Sequence, residues 1–344
     1  MVPKVKQKNY RKGKVKQFLR YPVEQEKNME KRQLGRSEIK VAPLMLGGNV
    51  FGWTLDEKGS FEVLDGFLGA GFNFIDTADV YSRWAPGNKG GESETVIGKW
   101  IRSRGNRDKV IVATKGGGDM TGQGKNITKK YILSAVEASL SRLQTDYIDL
   151  YQTHFDVEET PVEETLEAYA QVVKEGKVRV IGASNFTAIR LKAALEASAR
   201  YGYPRYESLQ PHYNLYEREI FEKELEKVCL ENQIGVVNYW ALAAGFLTGK
   251  YRSEADLNKS PRGAGVKKYL NERGFRILAA LDEVSGRYHS TPASVALAWL
   301  IARPSVTAPI ASATSIAHLD SLVAATRLTL DADAIRQLDD ASAW

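Results

Sequence analysis

Short runs of apolar and β-branched residues recur along the chain, each ending in small or polar residues and most followed by a stretch with apolar positions at helical spacing. The runs are PLMLGG (43–48), NFIDTA (73–78), VIVATK (110–115), IDLYQTH (148–154), VRVIGAS (178–184), SLQPHYN (208–214), GVVNYW (235–240) and TAPIAS (307–312). Their near-continuous apolar character predicts strands covered on both faces. Between them, stretches such as KKYILSAVEASLSRLQ and PVEETLEAYAQVVKEGKV read as amphipathic helices, mostly closed by glycine or short polar turns. Eight such βα units are the number that closes a parallel barrel. The expected fold is therefore α/β, a single-domain (β/α)₈ TIM barrel over residues 29–344, with RQLGRSEIKVA (32–42) as a hairpin across its floor. A doubly wound open sheet is the rival. It usually carries a Gly-rich phosphate turn after the first strand, whereas GGNVFGW stands there, and KGGGDMTGQGK (115–125) fits neither the dinucleotide nor the Walker template.

Composition changes this picture little. Hydrophobic content of 43% and charged content of 26% are ordinary for a soluble globular protein. The one cysteine, Cys229, excludes an internal disulfide and sits in the apolar rhythm of a helix, where packing is its expected role. Charge is more informative. Residues 1–28 hold nine Lys/Arg and two Glu, while the rest holds 39 basic and 40 acidic side chains. The net charge of +6 thus belongs to an N-terminal extension, read as disordered or as an upstream start, with a basic arm for nucleic acid or anionic lipid as the alternative. The body offers no electrostatic case for nucleic acid, no stretch resembles a secretory signal, and no apolar run would span a membrane; a cytoplasmic protein is expected.

Catalytic groups of a barrel sit at the C-terminal ends of its strands. Those ends present Asp76, with Tyr81 on the loop beyond, then Lys115, then His154. Each alone has an ordinary reading: a helix cap, a snorkelling end residue, a satisfied core histidine. Together, on consecutive strands, they suit proton donation. A tyrosine is a weak acid at neutral pH, and a neighbouring ammonium is expected to lower the pKa of Tyr81 into a useful range. Asp76 would hold Lys115 charged and in place, and His154 would orient a carbonyl oxygen toward Tyr81, with hydride supplied by a cofactor. The four histidines (His154, His212, His289, His318) show no metal-ligand spacing, and no serine-hydrolase elbow is present. A Schiff-base role for Lys115 is the competing chemistry.

At FIDTADVYS (74–82), VATKGG (112–117), YIDLYQTHFD (147–156), VRVIGASNF (178–186), QPHYNL (210–215) and GFLTGKY (245–251) the chain resembles the aldo-keto reductase family, from about Met29 to the C-terminus. The resemblance implies that Asp76, Tyr81, Lys115 and His154 form the catalytic tetrad. It places Gly48 at the cofactor site, Ser184, Asn185 and Gln210 against a nicotinamide carboxamide, and Tyr239 under the ring. It starts the pyrophosphate loop at Trp240, where many members carry Ser, and runs it through Leu242. Family habit favours NADP(H). The loop after the last strand, ASATSIAHLDS (311–321), lacks the Lys or Arg expected for a 2′-phosphate and offers Ser312, Thr314, Ser315 and His318 instead, so NAD(H) stays open.

Phe51, Trp53, Trp84 and Phe155, with Trp240, are expected to wall an apolar pocket for a small-molecule carbonyl substrate, which argues against a strongly anionic one. The loop 82–93 can serve as a partial lid, and the segment 252–275, with six Lys/Arg, as a flap over the cofactor phosphates or a solvated loop. A cofactor-sensing regulatory or channel-associated subunit is the alternative function; oligomeric state is not readable.

Overall fold

The computed structural model describes residues 29–260 and 262–344; the basic extension expected over residues 1–28 lies outside them. Eight strands run parallel in one sheet: β3 (Met45–Gly47), β4 (Phe74–Asp76), β5 (Ile111–Gly116), β6 (Ile148–Thr153), β7 (Val178–Ser184), β8 (Tyr206–Gln210), β9 (Gly235–Val236) and β10 (Ile310–Ala311). They follow one another around the sheet, and β10 lies beside β3. The seam between β9 and β10 is closed by the amides of Thr307 and Ile310, which donate to the carbonyls of Val236 (2.8 Å) and Asn238 (3.0 Å). The result is the expected (β/α)₈ barrel.

Helices α1 (Glu57–Gly69), α2 (Glu92–Arg104), α3 (Lys129–Leu143), α4 (Val162–Lys174), α5 (Ala188–Tyr201) and α6 (Glu226–Asn232) each follow a strand. Helix α6 continues a π-helical turn over Phe221–Leu225. Three 3₁₀ turns follow β9, then α7 (Glu272–Arg287) and α8 (Pro292–Ile301), and α9 (Ile316–Ala325) and α10 (Ala332–Ala341) follow β10. Starts are set by side-chain caps: Asp56, Thr187, Asn271, Thr291, Ser315 and Asp331 each accept an otherwise unpaired first-turn amide. Cys229 is buried on α6, and burial pushes its thiol up to about 12, so it packs and does not react.

Side chains divide by the two-residue period of the strands. One set, including Ile75, Val112, Tyr151, Ile181 and Leu209, packs outward under the helices. The other set, including Phe74, Ala113, Leu150 and Val237, fills the lower barrel. Beneath it lies the hairpin β1 (Arg32–Gln33) and β2 (Lys40–Val41), whose Leu34, Ile39 and Val41 join the same apolar cluster. The Arg32 guanidinium secures the hairpin, donating to the carbonyls of Ile301 and Val306 at 2.9 Å each. The hairpin expected from residues 32–42 is thus the barrel floor.

The last three strands are shorter than the apolar runs that announce them. Past Val236 the chain stays alongside β8, with the Val237 and Tyr239 amides donating to Leu209 and Pro211 carbonyls at 3.0 Å. Pro211 has no amide to return the bond, and Pro309 likewise withholds one just before β10, so regular ladders stop early.

Candidate active site

Two residues beyond the apolar inward positions, the same face turns polar. Asp76 follows Phe74, Lys115 follows Ala113, Gln152 follows Leu150, and Gln210 follows Ser208. The site is thus the upper layer of the barrel filling, and all four side chains are buried. Lys115 Nζ donates to Asp76 Oδ1 at 2.6 Å and to the Thr77 carbonyl at 2.7 Å. Gln210 Nε2 donates to the same Asp76 oxygen at 3.0 Å, and the Tyr81 hydroxyl donates to Asp76 Oδ2 at 3.0 Å. Both carboxylate oxygens are therefore committed. The ordinary reading of Asp76 as a helix cap fails, because its partners come from two strands, β5 and β8, and the loop beyond β4.

The electrostatics differ from the expectation for Tyr81. Burial around the hydroxyl, and next the Asp76 charge that accepts its hydrogen bond, hold the phenol well above its ordinary value; Arg262 draws it the other way. Lys115 does not bring the phenol down as expected, because its ammonium is spent on Asp76 and Thr77 and lies over the ring face, 4.6 Å from the centroid. Burial lowers Lys115 itself, with Asp76 opposing. His154 is buried at the end of β6, its ring 6.2 Å from that of Tyr81 and stacked on Phe155 at 4.5 Å. Burial, helped by Lys115 and Lys125, holds the imidazole well below its usual pKa, and its Nδ1 has no partner among the described residues. It is a neutral ring with one N–H to offer.

Around the rim, Asn185 Nδ2 donates to the His154 carbonyl (2.9 Å), the Tyr239 hydroxyl donates to Asn185 Oδ1 (2.8 Å), and the Ser184 hydroxyl donates to the Gln210 carbonyl (3.0 Å). Asn185 and Trp240 hold left-handed backbone, at φ 56° each, and Ala243 and Ala244 follow at 47° and 55°. Such angles are strained for non-glycine residues and cluster where backbone is arranged for function. Two further side chains missed in the sequence join here. His212 stacks under Tyr239 at 5.2 Å, and the buried amide nitrogen of Gln152 has no hydrogen bond among the described residues. An amide aimed into the barrel centre beside Gln210 suits a carboxamide-bearing ligand.

Gly48 follows directly on β3. Its amide donates to the Asp76 carbonyl at 2.7 Å, and a Cβ there would lie 2.8 Å from that oxygen. Leu242 is partly buried in the turn after Trp240. At the start of α9, Ser315 caps His318, Thr314 shares a 2.9 Å hydrogen bond with His318 Nδ1, and the Ser312 hydroxyl donates to Asn49 Oδ1 at 2.6 Å. Thr314, Ser315 and His318 are exposed, as an anion site on a helix start requires. Trp53 and Trp84 meet edge to face at 5.6 Å, and Trp84 lies 6.0 Å from Tyr81. Phe51 differs from this group: it is fully buried in the layer between barrel and helices. Trp240 is 47% exposed and presents its edge to His212.

Behind Lys115, Asp79 is buried with one carboxyl oxygen unpartnered among the described residues. Burial, and then the nearby Glu94, push its pKa up to about 7 against Arg142 and Lys115. The folded protein therefore keeps a proton that the unfolded carboxyl releases near 3.8, so this group's contribution to stability declines as pH rises from about 4 to about 7. Asp79→Asn should unfold at higher urea than the wild type at pH 8, with the advantage vanishing by pH 5. An equal difference at both values contradicts the assignment.

The model of the Aldo/keto reductase family matches residues 43–343. The chain is 36% identical to the uncharacterized oxidoreductase YrpG of Bacillus subtilis (strain 168), over 91% of this chain and 95% of that one. It is 32% identical to the aldo-keto reductase YhdN of the same organism, over 86% and 87% of the two chains. It is also 32% identical to norsolorinic acid reductase of Aspergillus flavus, over 88% and 78%.

Proposed function

Because the chain belongs to the aldo/keto reductase family, a family of oxidoreductases, we propose that it reduces an aldehyde or ketone carbonyl of a small molecule to the alcohol, with Tyr81 as the acid. The observation that carries the reading is the closed cluster in which Asp76 joins Lys115, Tyr81 and Gln210, with a neutral His154 alongside.

Ser184, Asn185, Gln210 and Gln152 offer the hydroxyl and amide groups a nicotinamide carboxamide needs, and Tyr239, stacked on His212, offers a ring face. The turn through Trp240, Leu242 and Ala244, left-handed at Trp240, Ala243 and Ala244, suits a pyrophosphate, and Ser312, Thr314, Ser315 and His318 suit an adenosine 2′-phosphate. A bound reduced nicotinamide supplies the hydride. The chain does the rest. The neutral His154 N–H holds the carbonyl oxygen, and Tyr81 Oη gives that oxygen its proton. Lys115, held by Asp76 and Thr77 over the ring face, makes no hydrogen bond to the phenolate left behind and acts on it only as a nearby positive charge. A phenol held above its usual pKa remains protonated across the physiological range, so it is always loaded for reduction.

NADP(H) is the proposed cofactor. Steady-state turnover of benzaldehyde with NADPH tests the activity, and fluorescence titrations with NADPH and NADH test the choice. Turnover is expected, with the lower Kd for NADPH. Tight NADPH binding without turnover would favour a regulatory subunit, and equal affinities would remove the 2′-phosphate assignment.

A further inference from the structure

Past β8 the chain continues through Pro211, and His212 keeps the two-residue phase of Ser208 and Gln210. It pairs in parallel with Tyr239, which prolongs β9 in the same way. Paired residues on neighbouring strands carry their side chains next to one another. Here the two rings lie 5.2 Å apart and 11° from parallel. Trp240 stands beside the imidazole at 5.1 Å and nearly perpendicular. His212 thus sits in a corner of two aromatic rings. Its Nε2 is buried without a hydrogen bond among the described residues, so ring packing and no polar bond at that nitrogen holds it there.

The corner is braced by the two segments that form it. Asn214 Nδ2 donates to the Trp240 carbonyl at 2.9 Å, and Asn238 Nδ2 to the Tyr213 carbonyl at 2.7 Å. From Tyr239 the contacts run on along the rim, through its hydroxyl to Asn185 and from Asn185 to the His154 carbonyl. His212 is therefore the root of a chain that ends at the residue alongside Tyr81. Tyr239 is itself partly exposed, and no ring among the described residues other than His212 lies parallel to it. One face of the phenol is backed and the other is free to receive a ligand ring. Burial lowers the His212 pKa, with Glu217 opposing and Lys268 assisting, so the imidazole is neutral at neutral pH. A neutral backing ring leaves the electron density of the free face undisturbed, as stacking on that face requires.

We propose that His212 is a positioning residue for the nicotinamide: it backs the Tyr239 ring and so fixes the plane on which the nicotinamide rests. The inference rests on the cofactor placement proposed above, and adds to it a residue that acts on the ligand only through another. A histidine that merely filled space would serve the fold and affect both ends of the dinucleotide alike.

Calorimetric titration of the full chain with NADPH, and with 2′-phospho-ADP-ribose as the same dinucleotide without its nicotinamide, separates the two roles. The wild type should bind NADPH the more tightly. His212→Leu should raise the Kd for NADPH about five- to tenfold, the size of one aromatic stacking contact, and leave that for 2′-phospho-ADP-ribose within about twofold. His212→Phe, which restores a flat ring, should recover most of the loss. In a Tyr239→Leu background, His212→Leu should have no further effect on NADPH, because the two residues act as one unit. His212→Gln, which also lacks a ring, takes the place of the leucine variant if that one does not fold. Equal weakening of both ligands, weakening of neither, or no recovery with Phe would overturn the proposal. So would full additivity with Tyr239→Leu. In each of those cases a wild type that still prefers NADPH keeps the cofactor placement intact. If the wild type binds the two ligands equally, the nicotinamide does not engage these residues, and the placement fails together with the inference.

Discussion

Replacing Tyr81 by Phe should lower kcat for aldehyde reduction by about a thousandfold while leaving the Kd for NADPH within about twofold, as expected when a general acid is removed without disturbing the pocket. The phenyl ring would keep its place over Lys115 and its edge contacts with His154 and Trp84. What is lost is the proton and the donor to Asp76, whose carboxylate remains bonded to Lys115 and Gln210. The groups assigned to the nicotinamide make no bond to that hydroxyl other than through Asp76, so affinity should be spared. A variant retaining more than about a tenth of the wild-type rate would remove Tyr81 from the role of acid. The raised phenol pKa adds a pH signature. Reduction by the wild type should show no alkaline loss below about pH 9, because the acid is still protonated there. A falling limb near neutrality would mean that another group gives up the proton.

Gly98→Ala should be strongly destabilising. This glycine lies on the face of α2 that meets α3, and a Cβ there would come within 2.3 Å of the Arg142 carbonyl oxygen and 2.6 Å of the Leu143 carbonyl carbon. These are backbone atoms, so relief requires the two helices to separate. That disturbs Arg142 where it bonds buried Glu94 (2.6 Å), and Glu94 where it accepts from Thr114 (2.6 Å) on the strand that carries Lys115. The expected loss is about 2–3 kcal/mol, after allowing for the better helix propensity of alanine. Gly69→Ala is the control. It stands exposed at the end of α1 with nothing within 4 Å of the new methyl, and should gain about 0.5 kcal/mol. Urea unfolding of both variants decides; two changes of the same sign would refute the packing argument.

The eight strands were legible because burial on both faces leaves a plain apolar run, and Asp76, Lys115 and His154 because each interrupts such a run at its end. Asp76 and Lys115 stood out for that reason. What the sequence concealed depends on the third dimension. Tyr81 was recognisable as an acid, but its bond to Asp76, and hence its raised pKa, depends on how the loop after β4 folds back. Asp79, within the same FIDTADVYS stretch, carries no mark that distinguishes a buried carboxyl from a solvated one. Phe51 and Trp53 are two residues apart and equally aromatic, yet one joins the core and the other the rim.

The hairpin beneath the barrel has a bearing on turnover. With Leu34, Ile39 and Val41 stopping the lower end and Arg32 fastening them, the described residues leave the catalytic layer a doorway at the strand ends. For a reductase built this way, dinucleotide and carbonyl compound share that doorway and queue. The dinucleotide, proposed above to sit against the residues of β7 and β8, would be first in and last out. Under the proposed function, throughput would then be governed by the order of departures, with the spent dinucleotide waiting on the alcohol.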